Sequence, residues 1–242
     1  MTRIGPGMRN DVVPGLQSDE GALLLVDKPA GWTSFDVVKK IRTLFRLRKV
    51  GHAGTLDPLA TGLLLVCTGK RTKTIEEFVG LEKEYEGGMF LGARTSSFDA
   101  GTPVVERHSV EHINDETVRS VFGEFAGPQE QLPPMWSAVK VNGKRLYALA
   151  RQGKTVERKT RQVIIHSLAP TRIAIPEVDF SVVCSKGTYV RALVDDIGQR
   201  LGCGAYLRLL RRTRIGPYHL SDALTIEELV AQKHASAASG GL

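Results

Sequence analysis

Gly51-His52-Ala53-Gly54-Thr55-Leu56-Asp57-Pro58-Leu59-Ala60-Thr61-Gly62 leads directly into the apolar run Leu63-Leu64-Leu65-Val66. A short apolar run bounded by turn formers reads as a buried strand. Gly51, Gly54 and Pro58 break periodicity before it, so the preceding segment is expected to be irregular. Asp57 precedes a proline, which drives its backbone to an extended conformation. An acid is thus held on a loop at a strand's edge, among small residues that let another molecule's backbone come close. Two roles fit such a residue. It is a reactive carboxylate, or it forms an Asx turn and caps its own loop.

Outward from this segment, strands and helices are mixed without a regular βαβ rhythm, which indicates an α+β fold. Ala22 to Val26 is a short apolar strand. Thr33 or Ser34 caps a helix with Val37, Val38, Ile41, Leu44 and Phe45 on one face and Lys39, Lys40, Arg42 and Arg46 on the other. Tyr85 to Leu91 reads as a strand interrupted by Gly87 and Gly88. Asn114 caps a short helix bearing Val118, Val121, Phe122 and Phe125. Val178 to Cys184 alternates as a strand. Val190, Leu193, Val194, Ile197 and Leu201 make an amphipathic helix. Thr225 with Glu228 forms a capping box for a last helix. Residues 1–20 read as a flexible leader, 21–234 as the folded domain and 235–242 as a disordered tail.

The chain has 242 residues, 42% of them hydrophobic, enough for a substantial core. No apolar run approaches the ~18 residues of a membrane span, and the first residues lack a signal peptide's apolar region. Cys67, Cys184 and Cys203 form no CxxC pair, which favours a reducing cytoplasm and argues against a zinc site. Cys67 and Cys184 end apolar runs and read as small buried hydrophobes.

The formal net charge is +7. From Lys140 to Arg161 there are eight basic residues (Lys140, Lys144, Arg145, Arg151, Lys154, Arg158, Lys159, Arg161) against Glu157 alone, again +7. Two further basic stretches are Lys39, Lys40, Arg42, Arg46, Arg48, Lys49 and Arg208, Arg211, Arg212, Arg214. Solvated helix faces usually mix signs, and these stretches barely do. A polyanionic partner follows, with nucleic acid ahead of membrane. Asn142-Gly143 between apolar residues is a hairpin signal inside the most basic segment. Residues 128–161 are therefore read as an inserted basic arm.

Few other residues carry chemistry. Arg191 stands in the first turn of its helix, where a cation opposes the macrodipole. It either pairs with Asp57, keeping that carboxylate ionised, or with Asp195 four residues on. Tyr85 is a flat face for a base or a core aromatic. His52 is a general base, a metal ligand or a wedge into a nucleic-acid stack. No cluster at metal-ligand spacing accompanies it, which puts metal last. Gly69-Lys70-Arg71 fails as a P-loop, and Gly5-Pro6-Gly7 fails as a dinucleotide fingerprint. Asp195 and Asp196 are adjacent on a helix and point apart.

The sequence GHAGTLDPLATGLLLV resembles the active-site motif of TruB-type tRNA pseudouridine synthases. The resemblance continues in Val26-Asp27-Lys28-Pro29-Ala30-Gly31-Trp32-Thr33-Ser34, Lys83-Glu84-Tyr85-Glu86, Gly187-Thr188-Tyr189-Val190-Arg191 and Leu210-Arg211-Arg212. These five collinear blocks span roughly residues 22–230. The resemblance implies a mixed sheet flanked by helices around a catalytic cleft, acting on uridine 55 of the tRNA T-loop. No cofactor or metal is implied. Asp57 matches the catalytic aspartate, Tyr85 the tyrosine on the target base and Arg191 the aspartate's partner. His52 matches the residue that fills the space of the flipped nucleotide, and Lys28 and Leu210 match supporting pocket residues. RNA-backbone contacts fall to Lys140, Lys144, Arg145, Arg151, Lys154 and Arg211. Many relatives add a C-terminal PUA domain, an RNA-binding module, and the few residues after the last expected helix leave no room for one. Two other classes compete: a non-catalytic RNA-binding protein, which has no need of Asp57, and a helix-turn-helix DNA regulator, for which no second helix follows at the right spacing.

Overall fold

The computed structural model describes residues 3–4, 16, 18–137, 139–141 and 143–239. In chain order the elements are β1 (Arg3–Ile4), β2 (Leu23–Lys28), α1 (Ser34–Leu44), β3 (Val50–Ala53), β4 (Thr61–Thr68) and α2 (Ile75–Val79). Then come β5 (Lys83–Leu91), β6 (Ala93–Thr95), β7 (Val104–Arg107), α3 (Asp115–Glu124), β8 (Gly127–Gln131), β9 (Lys140–Val141), β10 (Lys144–Arg145) and α4 (Leu146–Ala150). The chain ends with β11 (Arg161–Ala174), β12 (Glu177–Cys184), α5 (Val190–Arg200), β13 (Ala205–Ile215), β14 (Tyr218–His219) and α6 (Ile226–Ser239). Two compact units result, one from Met1–Glu84 with Arg211–Leu242 and one from Tyr85–Leu210.

In the first unit β4 is the central strand. β2 runs antiparallel along one edge, from Leu23↔Cys67 to Lys28↔Gly62. The other edge is divided: β3 pairs antiparallel with its second half and β13 pairs parallel with its start, Arg211↔Thr61 and Arg212↔Gly62. The Leu63–Val66 run is fully buried because both sheet faces are covered. One face packs on Val37, Val38, Ile41 and Phe45 of the α1 region and on Ile226 and Leu229 of α6. The other packs on Phe78, Ile215 and Tyr218. Each of these buried side chains contributes roughly 1.5–3 kcal/mol. Thr33 caps α1 in a full capping box with Asp36.

In the second unit the strand order is β5-β12-β11-β8, with β11 antiparallel to both of its neighbours. Asn114 caps α3, whose Val118, Val121 and Phe122 are buried. Gly87 lies inside β5 for a packing reason: a Cβ there would stand 2.4 Å from the Phe180 ring. That ring packs edge-on against Phe122, with centroids 6.2 Å apart.

The α+β class, the mixed strand directions and the inserted hairpin follow the sequence reading. Several boundaries do not. Gly51-His52-Ala53 is strand, because an edge strand paired on one side tolerates a glycine. Within the leader, Arg3–Ile4 pairs with β2 and Leu16 is buried in the core. Most of the remaining leader lies outside the described residues. The last helix runs to Ser239, through residues assigned above to a tail; alanines carry it. The arm is shorter than 128–161, because both its ends are sheet: Arg161↔Gln131 to Ile165↔Gly127 pair β11 with β8. Asn142 lies outside the described residues.

Candidate active site

Asp57 sits in the turn that joins β3 to β4, at residues 54–60. Its carbonyl accepts a hydrogen bond from Ala60 N–H at 3.1 Å. The segment after β2 braces this turn. Gly31 N–H donates to Pro58 O at 2.8 Å. The buried Ser34 hydroxyl takes Leu56 N–H at 2.9 Å and returns a bond to Leu56 O at 3.3 Å. Arg212 ties down both ends. Its Nε donates to Leu63 O at 2.7 Å and its Nη2 to Gly54 O at 3.1 Å, on a side chain that is 1% exposed. Gly62 is required where β13 approaches: a Cβ there would lie 2.3 Å from Arg212 O. The carboxylate-bearing turn is therefore a fixed platform.

Lys28 and His52 share this platform. Lys28 is fully buried and donates to Trp32 O at 2.6 Å and Pro29 O at 2.9 Å. Burial pushes its pKa down to about 8, with the Asp57 charge opposing and Arg212 adding to the fall. His52 projects from β3, half-buried. Burial and then the Arg212 charge lower its pKa, which favours the neutral imidazole.

The second unit holds Tyr85, Arg191 and Leu210, all buried. Arg191 lies in the first turn of α5, as expected, and its Nη1 stands 3.9 Å from Asp99 Oδ2 and 3.4 Å from Ser97 O. Asp99 is itself oriented by the Ser97 hydroxyl and by Gly101 N–H at 2.9 Å. The Tyr189 ring flanks the guanidinium at 5.8 Å. Gln131 fixes Tyr189 by bonding its N–H at 2.7 Å and its carbonyl at 3.0 Å. Asp195, the alternative partner four residues on, is held by Arg94 Nε at 2.9 Å and Gln199 at 2.6 Å.

The basic stretches separate. Arg208 pairs with Asp179 at 2.9 Å, Arg211 with Asp27 at 2.8 Å, and Arg214 with Glu82 at 2.7 Å and Glu84 at 2.8 Å. With Arg212 on backbone carbonyls, every arginine of the 208–214 stretch has a partner within the fold, while Arg208 and Arg211 stay partly exposed. In the arm, by contrast, Lys144, Arg151, Lys154 and Lys159 are exposed. Arg158 donates to Pro133 O at 2.9 Å, and Arg161 lies 5.0 Å from the Tyr189 ring centre. The Lys140 and Arg145 side chains lie outside the described residues.

Sequence reasoning passed over Arg212 as a brace and missed Asp99. Reading 205–215 as a strand places Arg212 in phase with buried Leu210, facing inward, which is the available signal. Asp99 lies in an ordinary polar turn and carries none.

Comparison with known proteins gives the family. Residues 42–190 match the model of the TruB family pseudouridylate synthase N-terminal domain, and residues 191–239 that of the tRNA pseudouridylate synthase B C-terminal domain. The tRNA pseudouridine synthase B of Flavobacterium johnsoniae is 48% identical over 86% of this chain and 93% of its own. That of Phocaeicola vulgatus is 50% identical over 86% and 91%. Among solved structures, a Cbf5–Nop10–Gar1 complex matches with a TM-score of 0.72 at 31% identity, over 92% of this chain. The chain spans 57% of the matched chain in that complex. The family and relative matches together define a pseudouridine synthase, an isomerase. The chain belongs to the TruB family of pseudouridylate synthases.

Proposed function

We propose that this enzyme converts uridine 55 in the T-loop of tRNA to pseudouridine, in the cytoplasm. The observation that carries the reading is the Asp57 turn, pinned by Arg212 and by the 28–34 segment within a family-matched chain. In the reaction the uracil N1–C1′ bond breaks, the base turns and C5–C1′ forms; the C5 hydrogen leaves to solvent and N1 gains a proton. Asp57 starts this by attacking the sugar or by deprotonating it. Tyr85 supplies a face for the base, and the family resemblance gives Arg191 the role of holding the aspartate's charge. A neutral His52 suits a wedge that fills the space of the flipped nucleotide, because leaving the stack costs a few kcal/mol. Lys28 holds its own segment through Pro29 O and Trp32 O. The exposed arm cations hold the T-arm backbone.

The test is tritium release from tRNA labelled at uridine C5. We expect one tritium per tRNA, abolished when position 55 is cytidine. Undiminished release from that substrate would refute the assignment.

A further inference from the structure

Beside the Asp57 turn, within the same unit, lies an open groove of about 490 Å³ lined by Gly31, Trp32, Asp36, Lys39, Lys40 and Thr43. We infer that this groove is a second RNA subsite. It takes one unpaired nucleotide, stacked against Trp32, with the neighbouring phosphates on Lys39 and Lys40.

The groove's chemistry is that of single-strand recognition, an aromatic face beside cations. Trp32 is half-buried, anchored against the core. The groove's cations lie on the solvent face of α1, whose other face is committed to the core through Val37, Val38 and Ile41. Lys39 and Lys40 are exposed, and neither enters a salt bridge among the described residues. The acid of the groove, Asp36, is already used: Thr33 N–H and the Thr33 hydroxyl donate to its Oδ2 at 2.9 and 2.6 Å. These bonds hold the Asp36 carboxyl below its usual range and so keep it ionised, but the two lysines outnumber it and positive charge predominates. Phe35, one turn before Lys39 on the same helix, is 61% exposed.

Position argues for RNA over a protein or a lipid surface. The groove floor is the same backbone that holds the reactive turn: Gly31 bonds Pro58 O and the Trp32 carbonyl receives Lys28. A strand whose target uridine reaches Asp57 passes close by. The inference rests on the RNA-isomerase reading, and its failure is separable from that reading's.

Trp136→Phe leaves Trp32 as the sole tryptophan of the full chain. Titrating this protein with tRNA should quench its fluorescence by more than about a third, as base stacking on an indole does. Adding Lys39→Gln and Lys40→Gln should shift the titration midpoint upward by roughly tenfold. It should also reduce the log–log salt slope by about 1.4, at ~0.7 per phosphate. The single-turnover rate at saturating tRNA should be unchanged. Unquenched fluorescence while filter binding shows a complex would overturn the subsite and leave the isomerase reading intact, as would an unmoved midpoint and slope. Absence of tritium release from the wild-type chain would overturn both.

Discussion

The arginines of β13 and the cations of the arm look alike in sequence and differ in use. Arg208, Arg211 and Arg214 each meet a carboxylate supplied from far along the chain: Asp179, Asp27, and Glu82 with Glu84. Arg212 is buried on two carbonyls. Lys144, Arg151, Lys154 and Lys159 instead face solvent, with Glu157 the one acid in their stretch. A run of like charge therefore does not by itself mark a nucleic-acid surface. Neighbouring strands decide whether the charge is matched.

The sharpest break between the two regions is Arg212. Arg212→Met leaves Leu63 O and Gly54 O without their donor. It should destabilise the protein by about 3–6 kcal/mol, since each of the two bonds to a charged donor contributes roughly 1.5–3. Turnover should fall by about a hundredfold or more as the Asp57 turn loses its position. Arg212→Lys should not rescue, because lysine lacks the planar fork that aims Nε at Leu63 O and Nη2 at Gly54 O in two fixed directions. Urea midpoints and single-turnover rates check both statements.

Neutralising Lys144, Arg151, Lys154 and Lys159 to glutamine should do the opposite. Stability should hold, because exposed side chains on a short hairpin and loop bury little. KM for tRNA should rise roughly tenfold, and the log–log salt slope should flatten by about 3, from four phosphates at ~0.7 each. An unmoved slope on folded protein would make the arm an ordinary solvated segment.

A smaller effect separates buried from exposed lysine. The pKa of Lys28 falls from 10.5 to about 8 on folding. Between these values the unfolded chain holds a proton that the folded chain has released, so stability rises with pH through that window. Below about pH 8 both states are protonated and the cost of burying the charge is fully present. Lys28→Met should remove this rise. Urea midpoints of both proteins at the two ends of the window check it.

Much of this was legible in the sequence. The buried Leu63–Val66 strand, the Thr33, Asn114 and Thr225 caps and the apolar face of α5 follow from local patterns. So does the placement of Asp57 on a turn beside a strand. What escaped was pairing between distant segments. The acids that neutralise β13 are up to 184 residues away in Arg211–Asp27, so no local window shows them. The edge strand at Gly51–Ala53 looked irregular because its stability comes from β4 rather than from its own propensity. Gly87 looked like a strand breaker, yet it is the one residue that admits the Phe180 ring.

Side-by-side single-turnover tritium release and tRNA affinity for Asp57→Asn and for the arm variant test the division of labour directly. Asp57→Asn should lose about a thousandfold or more in rate and change its Kd by less than about threefold, because a reacting group contributes to the transition state and little to binding. The arm variant should keep its rate at saturating tRNA and lose affinity. An Asp57→Asn enzyme retaining more than about a tenth of the wild-type rate, or one whose defect lies in affinity, would contradict the role assigned to Asp57.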